Sequence, residues 1–170
     1  MKKIDITFLK KVPLFADISD EKLASIAHIT YERIVDAGTS IVKEGEKGSD
    51  LYILVDGEVE VSRTLLLKIA GQGLDQRDKS LIRLTANDHA FFGEMALFDE
   101  SSERSASVTA KSQCVLACIS RDKFFKLAEA DKEIGYRVLK NIVTILISRL
   151  DKTTNDVLKL TTALSLALGR

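Results

Sequence analysis

Tryptophan is absent from this chain of 170 residues, and proline occurs once, at Pro13. Cysteine and histidine occur twice each. The cysteines stand in the apolar run Cys114-Val115-Leu116-Ala117-Cys118, which reads as a buried strand with both thiols on one face, as small hydrophobes. A zinc or iron–sulfur site needs more ligands close by, and the sequence offers none, so no metal is expected. His28 falls on a helical segment and His89 in a loop, each alone, and both read as structural. Charge of one sign is also lacking: Lys and Arg total 25, and so do Asp and Glu. No basic field advertises nucleic-acid binding. No apolar run reaches membrane-spanning length, and Met1-Lys2-Lys3-Ile4-Asp5 is no signal peptide, so the expectation is a cytoplasmic chain without a membrane partner. The length suits one domain with, at most, an appended element.

Asp5 to Lys11 reads as a short helix, broken at Val12-Pro13-Leu14-Phe15. Ser19-Asp20-Glu21-Lys22 reads as an N-cap with acidic first-turn residues, followed by the apolar stripe Leu23, Ile26 and Ala27. From Thr30 to Ile119 the texture changes to short strands and glycine turns. Asp56-Gly57, between Leu51–Val55 and Glu58–Val61, predicts a two-residue hairpin. Residues 62–80 are polar and glycine-bearing, which predicts a mobile hairpin tip. Asn87 tolerates a left-handed backbone better than most residues, so a turn can be placed there. Ser105 to Ala110 alternates, Cys114 to Ile119 closes the strand region, and Ser120 opens a helix that buries Phe124, Phe125 and Leu127.

From Asp131 to Leu168 there is no proline and one glycine, Gly135, before Gly169 ends the run. That predicts a helix about 57 Å long at 1.5 Å per residue. Val143, Leu150, Val157 and Leu164 fall at a positions of a heptad, and Leu139, Leu146, Thr153 and Leu160 at d. Val at a with Leu at d is compatible with a two-stranded coiled coil, so a homodimer is expected. Ile134, Val138, Ile142 and Ile145 form a second stripe that would pack on the chain's own body. The reading divides the chain into 1–130, the body, and 131–170, the dimerisation helix.

The chemistry concentrates in Phe92-Gly93-Glu94-Met95-Ala96-Leu97 and, seven residues on, Arg104-Ser105-Ala106. Arg104 can meet two phosphate oxygens with its planar fork. Gly93 lets backbone approach closely, Ser105 adds a hydroxyl donor, and ionised Glu94 accepts from a sugar hydroxyl. No nucleophile or metal cage stands beside them, so no catalytic residue is assigned and no enzyme is expected. The plainer alternative is that Glu94 and Arg104 brace each other across a loop.

These residues resemble the phosphate-binding cassette of the cyclic-nucleotide-binding domain family. Gly38, Gly45, Gly48, Gly57 and Gly93 resemble its glycine ladder. The resemblance implies an α+β fold: an antiparallel β-roll, or jelly-roll barrel, with short N-terminal helices, a cassette helix and a long C-terminal helix. It implies a non-enzymatic, stand-alone sensor of a cyclic nucleotide, cAMP rather than cGMP, with no other cofactor. Phosphate contacts would come from Arg104, Ser105, Ala96 and Ala106, and ribose contacts from Gly93 and Glu94. Purine-contact candidates are Val61, Leu81, Thr153 and Thr154. The two threonines follow from Arg149-Leu150-Asp151-Lys152-Thr153-Thr154, which resembles the purine-contacting segment of the family's dimer helix. Glu103 departs from the family, since many relatives carry Pro there. Only Gly169-Arg170 follow the helix, so no DNA reader is expected, and the signal would pass to an unknown downstream protein. The other reading is a nucleotide-blind dimeric interaction module on the same fold.

Overall fold

The structure is a computed structural model that describes residues 4–68, 74–98 and 103–169. Three short helical pieces open it: α1 (Ile6–Leu9), a 3-10 turn (Pro13–Phe15) and α2 (Asp20–Ile29). Then come β1 (Tyr31–Val35), β2 (Ser40–Val42), β3 (Asp50–Asp56), β4 (Glu58–Lys68) and β5 (Leu74–Thr85). A 3-10 turn (Ala86–Asp88), β6 (Phe91–Phe92), α3 (Met95–Phe98), β7 (Ser107–Ala110) and β8 (Cys114–Ser120) follow. Two helices end the described chain, α4 (Arg121–Ala130) and α5 (Lys132–Ala167). The strands make two four-stranded antiparallel sheets, ordered β1-β8-β3-β6 and β2-β7-β4-β5. This is the expected α+β roll with a long C-terminal helix. Among the described residues no helix is long and apolar enough to cross a membrane.

Strand periodicity divides the core in two. On β3, Leu51, Ile53 and Val55 face a layer of helices that holds Leu9, Leu14 and Leu23. Their neighbours Tyr52 and Leu54 face the space between the sheets, with Val59 and Val108. Cys114 and Cys118 both lie in that second core, on one face as expected. Burial pushes the Cys118 thiol up to about 12, so it packs as an inert hydrophobe.

Asp131 caps α5, its carboxylate accepting from the Glu133 and Ile134 amides at 3.0 and 3.3 Å. The Lys22 ammonium donates to Asp131 and lies 3.4 Å from Glu133, which ties α2 to the same helix end. Ile134, Val138 and Ile142 enter the helical core, so the first turns of α5 share the body's packing. Asn141 Nδ2 donates to the Leu14 and Ala16 carbonyls at 3.0 and 2.9 Å. From Leu146 to Gly169 every residue is exposed.

Three local expectations are corrected. Asp56-Gly57 is no hairpin, because β3 and β4 belong to different sheets. Gly57, at φ +92°, turns the chain from one sheet to the other, and a Cβ there would come within 2.5 Å of the Gln113 carbonyl oxygen. Residues 62–80 are not a loop over most of their length. Ser62 pairs opposite Ser80, and the ladder runs on to Lys68 opposite Leu74; the tip, 69–73, lies outside the described residues. The polar side chains that suggested a loop include cross-strand partners. Thr64 Oγ1 donates to Asp78 at 3.0 Å, and Ser80 Oγ to Glu60 at 3.0 Å. Glu44 accepts from the Thr64 amide and from Arg63, which hold its carboxyl below the usual range. Lastly, the left-handed residue is His89 at φ +46°, which ends the 3-10 turn that contains Asn87.

Candidate functional site

A cavity of about 540 Å³ opens between β4, β5, the Phe91–Ala96 segment, the Glu103–Ala106 segment and one face of α5. Arg104 lines it and is only 9% exposed. Its backbone is fastened on both sides: the Arg104 amide donates to Glu46 O and the Gly45 amide to Arg104 O, each at 2.9 Å. The guanidinium donates to the Asp50 carbonyl at 3.0 Å and the Gly93 carbonyl at 3.4 Å, and stands 5.8 Å from the Tyr52 ring centre. Asp50 is held in turn by the Tyr31 hydroxyl, which donates to its carboxylate at 2.8 Å. Glycine is required at 93, where a Cβ would lie 2.8 Å from the Asp50 carbonyl oxygen, and at 48 a Cβ would lie 2.7 Å from the Arg104 guanidinium and push it aside. Gly93 is also left-handed, at φ +82°.

Among the described residues, no carboxylate pairs with Arg104. Neutral carbonyls orient its guanidinium without cancelling its charge. A buried, oriented cation that no described carboxylate pairs with, lining a cavity, suits an anion.

Glu94 is 6% exposed, and its partner is not Arg104. Its Oε1 accepts from Arg149 Nη1 at 2.7 Å. Arg149 also donates to the Phe91 carbonyl at 3.4 Å and lies 4.9 Å from the Phe91 ring centre. Mutual bracing of Glu94 and Arg104 is thereby replaced by two separate arrangements. Arg149 escaped the sequence reading, although it opens the segment that contributes the threonines. The available signal was helical spacing: Arg149 and Thr153, four apart, share a face.

The remaining expected residues fall as follows. Ala96, Ser105 and Ala106 line the cavity. The Ala96 amide, expected to face phosphate, is turned inward to the Gly93 carbonyl at 3.2 Å, because it closes the first turn of α3. Val61 and Leu81 line the apolar wall. Thr153 lines the α5 side, with its hydroxyl donating to Arg149 O at 2.9 Å. Thr154 is exposed and does not line the cavity, being about 100° further round the helix. Lys152 and Asp156, which no motif singled out, do line it. No group of three or more His, Cys, Asp or Glu suited to a metal occurs among the described residues.

The cavity of this β-roll is lined by apolar side chains, by the oriented Arg104 guanidinium and by Glu94 paired to Arg149, which is a site arrangement and not a catalytic constellation. The chain belongs to the cyclic nucleotide-binding domain family, whose sequence pattern matches residues 32–131. It is 37% identical over 100 residues to the cAMP-activated global transcriptional regulator CRP of Salmonella typhimurium, covering 59% of this chain and 43% of that protein. It is 30% identical over 120 residues to the cAMP-dependent protein kinase regulatory subunit of Yarrowia lipolytica, covering 71% and 28%. The crystal structure of Thermus thermophilus catabolite activator protein superposes with a TM-score of 0.72 at 28% identity, over 88% of this chain and 63% of that one. A cyclic nucleotide-binding domain from Methylobacillus flagellatus matches with a TM-score of 0.72 at 25% identity, over 90% and 80%. The chain thus spans less than half the length of these two sequence relatives.

Proposed function

We propose that the cavity binds one cyclic nucleotide, cAMP in preference to cGMP, and that the chain is a non-enzymatic regulatory module. Arg104, Ser105 and the backbone at Ala106 hold the phosphate, with Ala96 lining the same cavity. Gly93 and Glu94 hold the ribose, with Glu94 accepting from the 2′-hydroxyl. Val61, Leu81 and Thr153 contact the purine, and Thr154 reaches it from a second copy. On this reading residues 1–130 carry the sensor, and residues 131–170 pair with a second copy through the heptad seam. The signal then passes to a separate protein.

The observation that carries the proposal is Arg104: a buried guanidinium whose partners are neutral carbonyls, facing a slot with apolar walls. A phosphodiester supplies the missing charge, and a purine fills the apolar part. The relatives named for cAMP support the choice of base. One observation favours a nucleotide-blind interaction module instead. Arg104 has its carbonyls and Glu94 has Arg149, so neither group lacks a hydrogen bond without ligand.

Calorimetric titration with cAMP, cGMP and linear 5′-AMP separates the two. Binding of cAMP, more tightly than cGMP and with little heat from 5′-AMP, is the expected result. No heat from either cyclic nucleotide overturns the proposal and leaves the interaction module.

A further inference from the structure

We infer that Tyr31 is a positioning residue for the anion seat: its hydroxyl holds the Asp50 carboxylate away from Arg104, so that the guanidinium keeps its charge free for a phosphate. The inference rests on the cyclic-nucleotide reading above and adds to it the residue that keeps the seat open.

Strand register sets the geometry. Tyr31 on β1 stands opposite Cys118 on β8, and Cys118 opposite Tyr52 on β3, so the three share one row and one face of their sheet. Tyr52 and Cys118 put that face toward the space between the sheets. Asp50 precedes Tyr52 by two residues on the same strand, so its side chain leaves on the same face. The Arg104 guanidinium lies there as well, 5.8 Å from the Tyr52 ring centre. An acidic side chain and the buried cation thus occupy one side of β3.

They are nevertheless not paired. Arg104 donates only to the main-chain carbonyl of Asp50, at 3.0 Å. The carboxylate of the same residue accepts instead from the Tyr31 hydroxyl at 2.8 Å. The Asp50 backbone is fixed by its register opposite Ser120, so the side chain is the part that can turn. Its carboxylate has three staggered wells about Cα–Cβ, and the Tyr31 hydroxyl selects the one occupied. Without that donor, the strongest partner on this face is the guanidinium, because a bond charged on both sides and shielded from water outranks one to solvent. Such a pair would occupy the donors and cancel the charge that a phosphate needs.

Tyr31 is itself well held for this task. Partial burial, then the hydrogen bond to Asp50 and the charge of that carboxylate, push its hydroxyl well above the ordinary phenol range, so it stays a donor. The Lys123 ammonium of α4 stands 6.0 Å from its ring centre. The Arg121 amide at the start of α4 donates to the Ser49 carbonyl at 3.0 Å, which joins α4 to the residue before Asp50.

The test is calorimetric titration of cAMP and cGMP into the full chain, Tyr31→Phe, Asp50→Asn and the double variant, each checked for β-rich circular dichroism. Phe keeps the ring beside Lys123 and removes only the hydroxyl. Asn keeps the size of Asp but cannot neutralise Arg104. Tyr31→Phe should weaken cyclic-nucleotide binding by about tenfold or more. Asp50→Asn should bind within about threefold of the unaltered chain, and the double variant should recover to that level. Recovery is the deciding result. A tyrosine that acts by packing alone would leave the double variant as weak as Tyr31→Phe, and that outcome overturns the inference. Affinity of Tyr31→Phe within about twofold of the unaltered chain also overturns it. So does an Asp50→Asn variant as weak as Tyr31→Phe, because the carboxylate would then aid binding. In all three cases the unaltered chain still binds, and the cyclic-nucleotide reading stands. If the unaltered chain binds neither ligand, that reading falls and the inference with it.

Discussion

Arg149 Nη1 and Glu94 Oε1 meet at 2.7 Å, joining the exposed half of α5 to the residue that follows Gly93. The carboxylate is almost fully buried, while the guanidinium is about half in water. Truncating the arginine leaves a buried carboxylate without its cation. A fully buried pair broken on one side costs about 3–5 kcal/mol, and the exposure of Arg149 reduces that to roughly 1–2 kcal/mol. The same contact is the polar link between the cassette and the outer half of α5. Arg149→Ala, Glu94→Gln and the double variant should give a coupling of about 1 kcal/mol or more in denaturant unfolding. Simple additivity would mean that the contact contributes nothing.

Arg104→Ala removes a charged, two-pronged contact to the proposed phosphate. Losing such a contact costs on the order of 2–5 kcal/mol, which lowers affinity at least about thirtyfold. Arg104→Lys should recover part of the loss, because it restores the charge without the fork. Calorimetry with cAMP and cGMP checks both variants. Affinity of Arg104→Ala equal to that of the unaltered chain removes the phosphate assignment.

Glu94→Gln tests the ribose contact with two ligands. Gln can still accept from Arg149 through its carbonyl, so the cavity wall should persist. Binding of cAMP should weaken by about tenfold, the loss of a charge-assisted hydrogen bond, while 2′-deoxy-cAMP should change little. Equal losses for both ligands would assign Glu94 to another task, such as holding Arg149 alone.

Much of this was legible in the chain, for reasons that differ by element. Cys114 to Ile119 and Leu51 to Val55 read as strands because both faces are buried and apolar residues run unbroken. The long helix was legible because nothing interrupts it before Gly169. Arg104 and Glu94 stood out because their residue types suit an anion and a sugar hydroxyl. What escaped were long-range pairings. Asp56-Gly57 has hairpin chemistry, yet its flanking strands are drawn into different sheets by distant partners, β8 for β3 and β7 for β4. The hairpin arms of β4 and β5 looked like loop because their polar residues answer each other across strands. Arg149 is 55 residues from Glu94, a distance over which local pattern carries no information.

The acid limb of stability should report the start of α5. The Lys22 ammonium beside Asp131, with the two amides it caps, holds that carboxyl below its usual range. A depressed carboxylate contributes stability that is fully present above its unfolded value and is lost as pH falls through the lower folded value. Lys22 is raised by the same partner, so its contribution is present below the usual ammonium value and fades above the raised one. Stability from this pair should thus be flat from about pH 5 to 9 and fall toward both extremes. Asp131→Asn retains a cap but removes the ion pair, and should shallow the decline below about pH 4. An unchanged acid limb in thermal melts would show that other carboxylates govern it.

The outer half of α5 provides the last test, because its apolar residues have no cover among the described residues. Leu150 is 65% exposed, and Val143, Val157, Leu160 and Leu164 are exposed as well. Heptad spacing, with Leu160 at d and the other four at a, places them on one seam, whereas Ile134, Val138 and Ile142 already face the body. A second parallel copy would bury the seam. Leu150→Asp sets two carboxylates against each other in that apolar interface, where ionised groups are costly. The body should remain folded, since Leu150 touches neither core cluster. Light scattering at tens of micromolar should therefore give a dimer for the unaltered chain and a monomer with intact β-rich circular dichroism for Leu150→Asp. The monomer should also bind cAMP more weakly, because Thr154 lies off the cavity in one chain and can reach the base only from a second. A monomeric unaltered chain removes the seam as a dimer interface. A monomeric variant with undiminished affinity keeps the seam but confines the base contacts to Thr153 and its neighbours in a single chain.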